Sequence, residues 1–346
     1  MSQLLKLLDI KYPIIQAGMA GGITTPGLVA ATAEAGGLGT IGAGYMDAAA
    51  LRNDIIETRD LTDRPFAVNL FAADLNASSS NVQEMQKFLN KYRKELGLQL
   101  GSYTVKAYDY LEEKVSVILE EKISIVSTAF GVLPAKIIGQ LKSGKVVLIG
   151  MATSLDEALQ LEEAGYDVIV AQGSEAGGHR GTFDVKKYPD GCNIGLHVLV
   201  EELLENTRLP IIAAGGIYSK KQADALMAMG ASGVQIGTRF LLAREAGTNQ
   251  AYREALLRAR GEDTKLTKVF SGRPARAIRN RFIDEVDASR LETLPFPVQN
   301  QMTKDIRAAG KEKVNADFLS LWAGQGVGSL NKEETAEEIV RSFAEG

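Results

Sequence analysis

KVVLIGMATSLDEALQLEEAGYDVIVAQG, residues 145–173, places two short apolar runs on either side of an amphipathic segment. The outer runs, KVVLIGMA and YDVIVAQG, are nearly continuous in aliphatic residues, the mark of strands buried on both faces. The intervening SLDEALQLEEAG (154–165) has helical periodicity. Strand, helix and strand in this order form a parallel βαβ unit. The same grammar repeats along the chain. YPIIQAG, GLGTIG, PFAVNLF, KISIVSTAFG, LPIIAAGG and GVQIGT are further apolar runs that end in small residues, and SKKQADALMAMGA (219–231) is a further amphipathic segment. Eight such strands predict a closed α/β (β/α)8 TIM barrel rather than an open sheet.

The repeat is interrupted once and then stops. Residues 72–115 exceed a single connection and are expected to add helices. After GVQIGTRFLLAREA the chain becomes more polar, with PFP at 295–297 as punctuation. The expected organisation is a barrel over 1–245, a smaller, mostly helical substrate or lid domain over 246–320, and a glycine-rich return, LWAGQGVGSL, that leads residues 321–346 back to the barrel. There is no self-similar sequence repeat.

Composition narrows the function. The chain has 346 residues, 45% of them apolar, and a net charge of −4. That balance shows no electrostatic footprint for nucleic acid. Its apolar runs fall short of the roughly 18 residues a membrane span needs. A single cysteine, Cys192, rules out a disulfide framework within the chain. No secretory signal pattern precedes the first strand, so the expected location is cytoplasmic. The chain is expected to act as a monomer or homodimer on a small molecule. Two isolated histidines supply no metal-ligand spacing, so no metal is expected. Neither a P-loop nor a dinucleotide-binding glycine motif occurs in a strand–turn–helix setting.

In a barrel, chemistry gathers at the C-terminal ends of strands. The residues there are Ala17, Gly18 and Met19, then Asn69, Gln172, Gly215 and Gly216, and Gln235, Ile236, Gly237 and Thr238. Most are glycine or uncharged hydrogen-bonding residues. AAGGIYS and QIGTRF end the last two strands, where exposed backbone N–H groups make a phosphate site. Asn69 and Gln172 both donate and accept, which suits the amide-like edge of a flavin ring. AQGSEAGGHRGTF (171–183) surrounds His179 with Gly177, Gly178 and Gly181, so its own loop offers it little packing. His179 therefore reads as a ligand-facing base or hydrogen-bond donor. His197, within GLHVLVEELL, reads as a helix residue. Cys192 has no positioned base nearby. Glu175 and Arg180 read as solvated loop charges. The four arginines of SGRPARAIRNR (Arg273, Arg276, Arg279 and Arg281) read as braces between the small domain and the barrel.

IIQAGMAGGITTPGLVAATAEAGGLGTIG, AQGSEAGGHRGTF, IIAAGGIYSKKQADALMAMGASGVQIGTRFL and SGRPARAIRN together resemble the nitronate monooxygenase family, and the EAGGHRG form is most similar to its class I members. The likeness runs from Tyr12 to about Gly326. It implies one non-covalent FMN held by Asn69, Gln172, Gly177, Gly178, Gly215, Gly216 and Gln235 to Thr238. Ala17, Gly18 and Met19 would lie beside the ring, and Gln325 of LWAGQG would return to it. It also implies a detoxifying oxidoreductase that uses O2 to convert alkyl nitronates, such as propionate 3-nitronate, to a carbonyl compound and nitrite. His179 would be the active-site histidine, either holding the anionic nitronate as a partly protonated ring or removing a proton from a neutral nitroalkane. The residues alone leave both roles open. Two positions depart from the class I pattern: STAFG has Ala129 where a second histidine often stands, and FPVQ has Phe296 where tyrosine is frequent. Similar motifs occur in FMN-dependent NAD(P)H reductases of enoyl-ACP and quinone type, the alternative activity. A non-catalytic flavin-binding module is a further alternative.

Overall fold

Each of the eight apolar runs forms a strand in the computed structural model, which describes residues 2–80 and 82–345. We number them β1 (Ile14–Gln16), β2 (Thr40–Gly42), β3 (Ala67–Phe71), β4 (Ile125–Ala129), β5 (Val147–Ala152), β6 (Val168–Gln172), β7 (Ile211–Ala214) and β8 (Gly233–Ile236). Neighbours pair in parallel, and β8 returns to β1 through Val234 opposite Ile14. The last seam, between β1 and β2, is a bridge between Ile15 and Leu38, with the Gln16 amide donating to the Leu38 carbonyl at 2.9 Å. The sheet is thus a barrel.

Burial explains why the strands read as unbroken apolar runs. Ile15, Ala67, Ile125, Ile149, Val168, Val170 and Ile212 pack together in one cluster inside the barrel. Ile14, Ile41, Val68, Val126, Leu148, Ile169, Ile211 and Val234 face the surrounding helices in another. Alternate residues of each strand therefore enter different apolar layers, and neither face needs polar residues. The quoted βαβ unit has helix Leu155–Glu163, started by Ser154, whose hydroxyl accepts from the Glu157 amide. Helix Lys220–Ala228 starts with a reciprocal cap between Ser219 and Gln222.

Outside the barrel the chain mixes helices with a small antiparallel sheet. Residues 246–320 do contain helices at Gln250–Arg258, Arg281–Ser289, Val298–Met302 and Lys304–Glu312. They also contain two antiparallel strands, Thr264–Thr267 and Ala275–Ile278. The second of these takes Gly178–His179 as its other neighbour, with Ala275 opposite His179 and Arg276 opposite Gly178. Helix Gln83–Leu96, from the long connection after β3, shares an apolar cluster with Phe270, Phe282, Ile306 and Phe318. Arg93 from that helix is fully buried and donates to Asp305 at 2.7 Å. The structure outside the barrel is therefore assembled from two separated stretches of chain.

Candidate active site

One cavity opens at the C-terminal ends of the strands. Ala17, Gly18, Met19, Asn69, Gln172, Gly177, Gly178, His179, Gly215, Gly216, Gln235, Gly237 and Thr238 all line it. Ile236 and Gln325 do not. Ile236 is buried between barrel and helices, because alternation along β8 turns its side chain away from Gln235. Gln325 is exposed. Its amide donates to the Glu175 carbonyl at 2.9 Å, and the neighbouring Trp322, Gly326 and Leu330 reach the cavity instead.

The two ends of the cavity differ chemically. At β7 and β8, the amide N–H groups of Gly216 and Gly237 find no acceptor among the described residues. Gly216 has a φ of +67, which only glycine adopts without strain. Free N–H donors here suit an anion. Arg239 also lines this end, but its guanidinium is held by Glu334 at 2.9 and 3.0 Å and by the Tyr218 carbonyl at 3.0 Å. Backbone donors, rather than a free cation, present the positive pole.

Midway lie uncharged groups. The Asn69 amide donates to the Ser127 hydroxyl at 2.9 Å, leaving its carbonyl oxygen open to the cavity. Gln172 is more constrained than its sequence context implies. Its oxygen accepts from the Gly181 amide at 2.8 Å, and its nitrogen donates to the His179 carbonyl at 3.0 Å. It thereby shapes the histidine loop and keeps one N–H available.

The far end is aromatic. Phe71, Phe130, Trp322 and Tyr45 line it around His179. The imidazole lies 5.1 Å from the Trp322 ring, 5.8 Å from Phe130 and 6.2 Å from Phe296, centre to centre. Its Nε2 is 2.8 Å from the hydroxyl of Ser271, which is itself buried. Burial pushes His179 down to about 3, and the positive charges of Arg273 and Arg307 act in the same direction. The imidazole is therefore neutral at physiological pH. Among the described residues no carboxylate lines the cavity.

The histidine loop is rigid despite its glycines, because distant residues hold its backbone. Arg180, fully buried, donates to the carbonyls of Gln172, Gly173 and Cys192 at 2.9, 2.7 and 3.1 Å. Arg276 donates twice to the Ser174 carbonyl, and Arg273 donates to that of Thr182 while its guanidinium lies 4.0 Å over the Phe130 ring. The Glu175 carboxylate accepts from the Leu196 amide at 3.1 Å. Glu175 and Arg180 are thus struts rather than solvated charges. Gly177 must be glycine, because a Cβ there would come within 2.4 Å of the Gly324 nitrogen in the returning chain. Arg279 and Arg281 pair with Asp284, Glu95 and Glu285 at the surface. His197 is exposed on its helix, and burial raises the Cys192 thiol.

Sequence reasoning overlooked Ser271, Tyr45, Phe71, Phe130 and Trp322. The first opens SGRPARAIRNR (271–281), a motif read only for its arginines. The aromatic residues look like ordinary core in sequence, and only their convergence on His179 marks them.

A (β/α)8 barrel whose strand ends combine free backbone donors, uncharged amides and a neutral histidine has the features of an enzyme with its site at the barrel mouth. Comparison with known proteins gives the particular group. The family model for nitronate monooxygenase matches residues 1–346. A "Probable nitronate monooxygenase" of Staphylococcus saprophyticus is 41% identical over 320 residues, 92% of this chain and 90% of that one. A protein of the same name from Staphylococcus aureus is 40% identical, covering 94% and 91%. Among solved structures, nitroalkane oxidase from Streptomyces ansochromogenes superposes with a TM-score of 0.92 at 36% identity, covering 99% and 97%. FabK from Thermotoga maritima gives 0.78 at 29%, covering 99% and 95%. The chain belongs to the nitronate monooxygenase family. It is an oxidoreductase of that family built on a TIM barrel. Among the described residues no helix is long and apolar enough to cross a membrane.

Proposed function

We propose that this enzyme uses FMN and O2 to oxidise alkyl nitronates, with propionate 3-nitronate as a representative substrate, to a carbonyl compound and nitrite. The observation that carries the reading is the polarity of the cavity among the described residues: backbone donors without acceptors at β7 and β8, no lining carboxylate, and a neutral histidine inside an aromatic box at the other end. The N–H groups of Gly216 and Gly237 would take the cofactor phosphate. Asn69 and Gln172 would meet the ring edge, with Ala17, Gly18 and Met19 beside it. When bound, FMN supplies the one- and two-electron chemistry.

The chain's own residues do the rest. The aromatic box formed by Phe71, Phe130 and Trp322 excludes water from the reacting carbon. Neutral His179 acts as a proton acceptor for a neutral nitroalkane, and its depressed basicity argues against its holding a nitronate as a partly protonated ring. The residues over 246–320, with helix Gln83–Leu96, serve as the substrate-side cover. The proposed setting is cytoplasmic.

The test is to add propionate 3-nitronate to the purified flavoprotein in air and to measure nitrite and O2 consumption. Stoichiometric nitrite supports the reading. The motifs shared with FMN-dependent reductases carry a second reading, an NAD(P)H-dependent reductase of enoyl-ACP or quinone type. Anaerobic loss of flavin absorbance on adding NADH or NADPH, with no nitrite from the nitronate, moves the assignment there.

A further inference from the structure

We propose that Ser271 is a positioning residue that holds His179 as the Nε2–H tautomer, so that Nδ1 is the atom that meets the substrate. The inference deepens the functional reading above and rests on it for its catalytic consequence, though not for the tautomer itself.

Three polar atoms surround the Ser271 Oγ: the Arg273 amide N–H at 3.2 Å, the Arg273 carbonyl at 3.2 Å, and His179 Nε2 at 2.8 Å. A serine hydroxyl has one proton to give and two lone pairs to fill. The Arg273 amide can only donate, and it occupies one lone pair. The Arg273 carbonyl can only accept, and it finds no other donor among the described residues. All three contacts are satisfied together when the hydroxyl gives its proton to that carbonyl and accepts from Nε2–H. The opposite tautomer forces the hydroxyl to donate to Nε2. It strands the carbonyl beside a serine that is 1% exposed, and buried polar groups are seldom left in that state.

The second ring nitrogen completes the case. Nδ1 has no polar partner among the described residues, and His179 borders the cavity. The rings of Phe130, Phe296 and Trp322 surround the imidazole and offer it no acceptor. An Nδ1–H would point an unused donor into that apolar space. An Nδ1 lone pair is instead a base aimed at the substrate position. The backbone keeps this geometry in register, because His179 pairs with Ala275 four residues beyond Ser271 on the same stretch of chain.

For a neutral nitroalkane the step is complete within the named groups. The α-C–H bond breaks, its proton goes to Nδ1, its electron pair forms the C=N bond, and the N=O π pair moves onto oxygen to give the nitronate. The resulting imidazolium still donates from Nε2 to Ser271, so the hydroxyl serves both protonation states without reorienting. A preformed nitronate needs no such proton transfer. Ser271 should therefore matter far more for the neutral substrate than for its anion.

The chain's two histidines make a direct test practical. Protein labelled with 15N-histidine is examined by long-range proton–nitrogen NMR, and the exposed His197 is assigned by His197→Gln. We expect His179 to show a protonated Nε2 and an unprotonated Nδ1, and Ser271→Ala to shift it toward a mixture. We also expect Ser271→Ala to lower turnover of a neutral nitroalkane at least about tenfold more than turnover of the matching nitronate. A wild-type His179 with protonated Nδ1 overturns the proposal, as does a variant in which both substrates slow equally. If the wild-type protein oxidises neither substrate, the functional reading fails, while the NMR result still decides the tautomer.

Discussion

The two ends of the cavity are built by different means. At β7 and β8 the polar groups open to the cavity are backbone amides, and glycine exposes them. At the other end the lining is side chains: His179, backed by Ser271, and the rings of Phe71, Phe130 and Trp322. A backbone cradle needs only the right local turn, so a short motif contains everything required. A side-chain box needs pieces from β3, β4, the histidine loop, the antiparallel strands and the returning chain to meet in space. Its integrity depends on long-range struts, which makes the two ends separately breakable.

The largest effect belongs to His179. With His179→Asn, turnover of a neutral nitroalkane should fall by about 10²–10⁴-fold while flavin content stays near that of the wild type. Steady-state rates and the visible spectrum measure both. Unchanged turnover would remove His179 from the chemistry. Gly216→Ala should give the opposite pattern. A Cβ at φ +67 is strained and would lie 3.1 Å from the Glu175 Cβ, so flavin retention on dialysis should drop about tenfold or more. The cost of about 1 kcal/mol in stability is that of ordinary left-handed backbone. If this variant holds flavin normally but loses turnover, the cradle is misplaced.

The struts come next. Arg276→Met removes both bonds to the Ser174 carbonyl. It should lower stability by about 1–3 kcal/mol in denaturant melts and slow turnover with little change in flavin binding. Arg279→Ala, by contrast, breaks only an exposed surface pair, and the melting temperature should not move measurably.

The pH response should be the smallest change in activity. His179 titrates near 3 rather than 6.5, so nitroalkane turnover should show no histidine limb between about pH 5 and 8. Stability behaves differently. Because the folded value is depressed, the unfolded chain takes up the proton first as pH falls. The neutral imidazole's contribution is complete above about 6.5 and is lost as pH falls toward 3. Melts of His179→Asn against wild type across pH 4–7 should therefore show a shallower decline for the variant.

Much of this architecture was legible before any coordinates. Eight apolar runs ending in small residues became eight parallel strands, and the strand ends named from sequence line one cavity. The departures from the expected lining have physical causes. Ile236 sits one residue from Gln235, and the period of two along a strand sends it to the other face. Gln325 was assigned by its motif, but its backbone makes the contact while its side chain stays outside. The strands at Thr264–Thr267 and Ala275–Ile278 were read as helical territory, since alternating Arg and Ala in so short a run carries little strand signal.

The amino-acid sequence alone determined the barrel, the glycine turns at β7 and β8, and the placing of His179 in a loop that could not pack it. These follow from hydrophobic periodicity and local backbone freedom, which act over a few residues. Only the tertiary structure decided that Ser271 faces Nε2, that two arginines and burial keep the imidazole neutral, and that Gln172 spends its amide on the histidine loop. Hydrogen-bond partnership and desolvation are properties of what surrounds a group, and here the surroundings arrive from nearly a hundred residues away in the chain, as for His179 and Ser271 with a separation of 92.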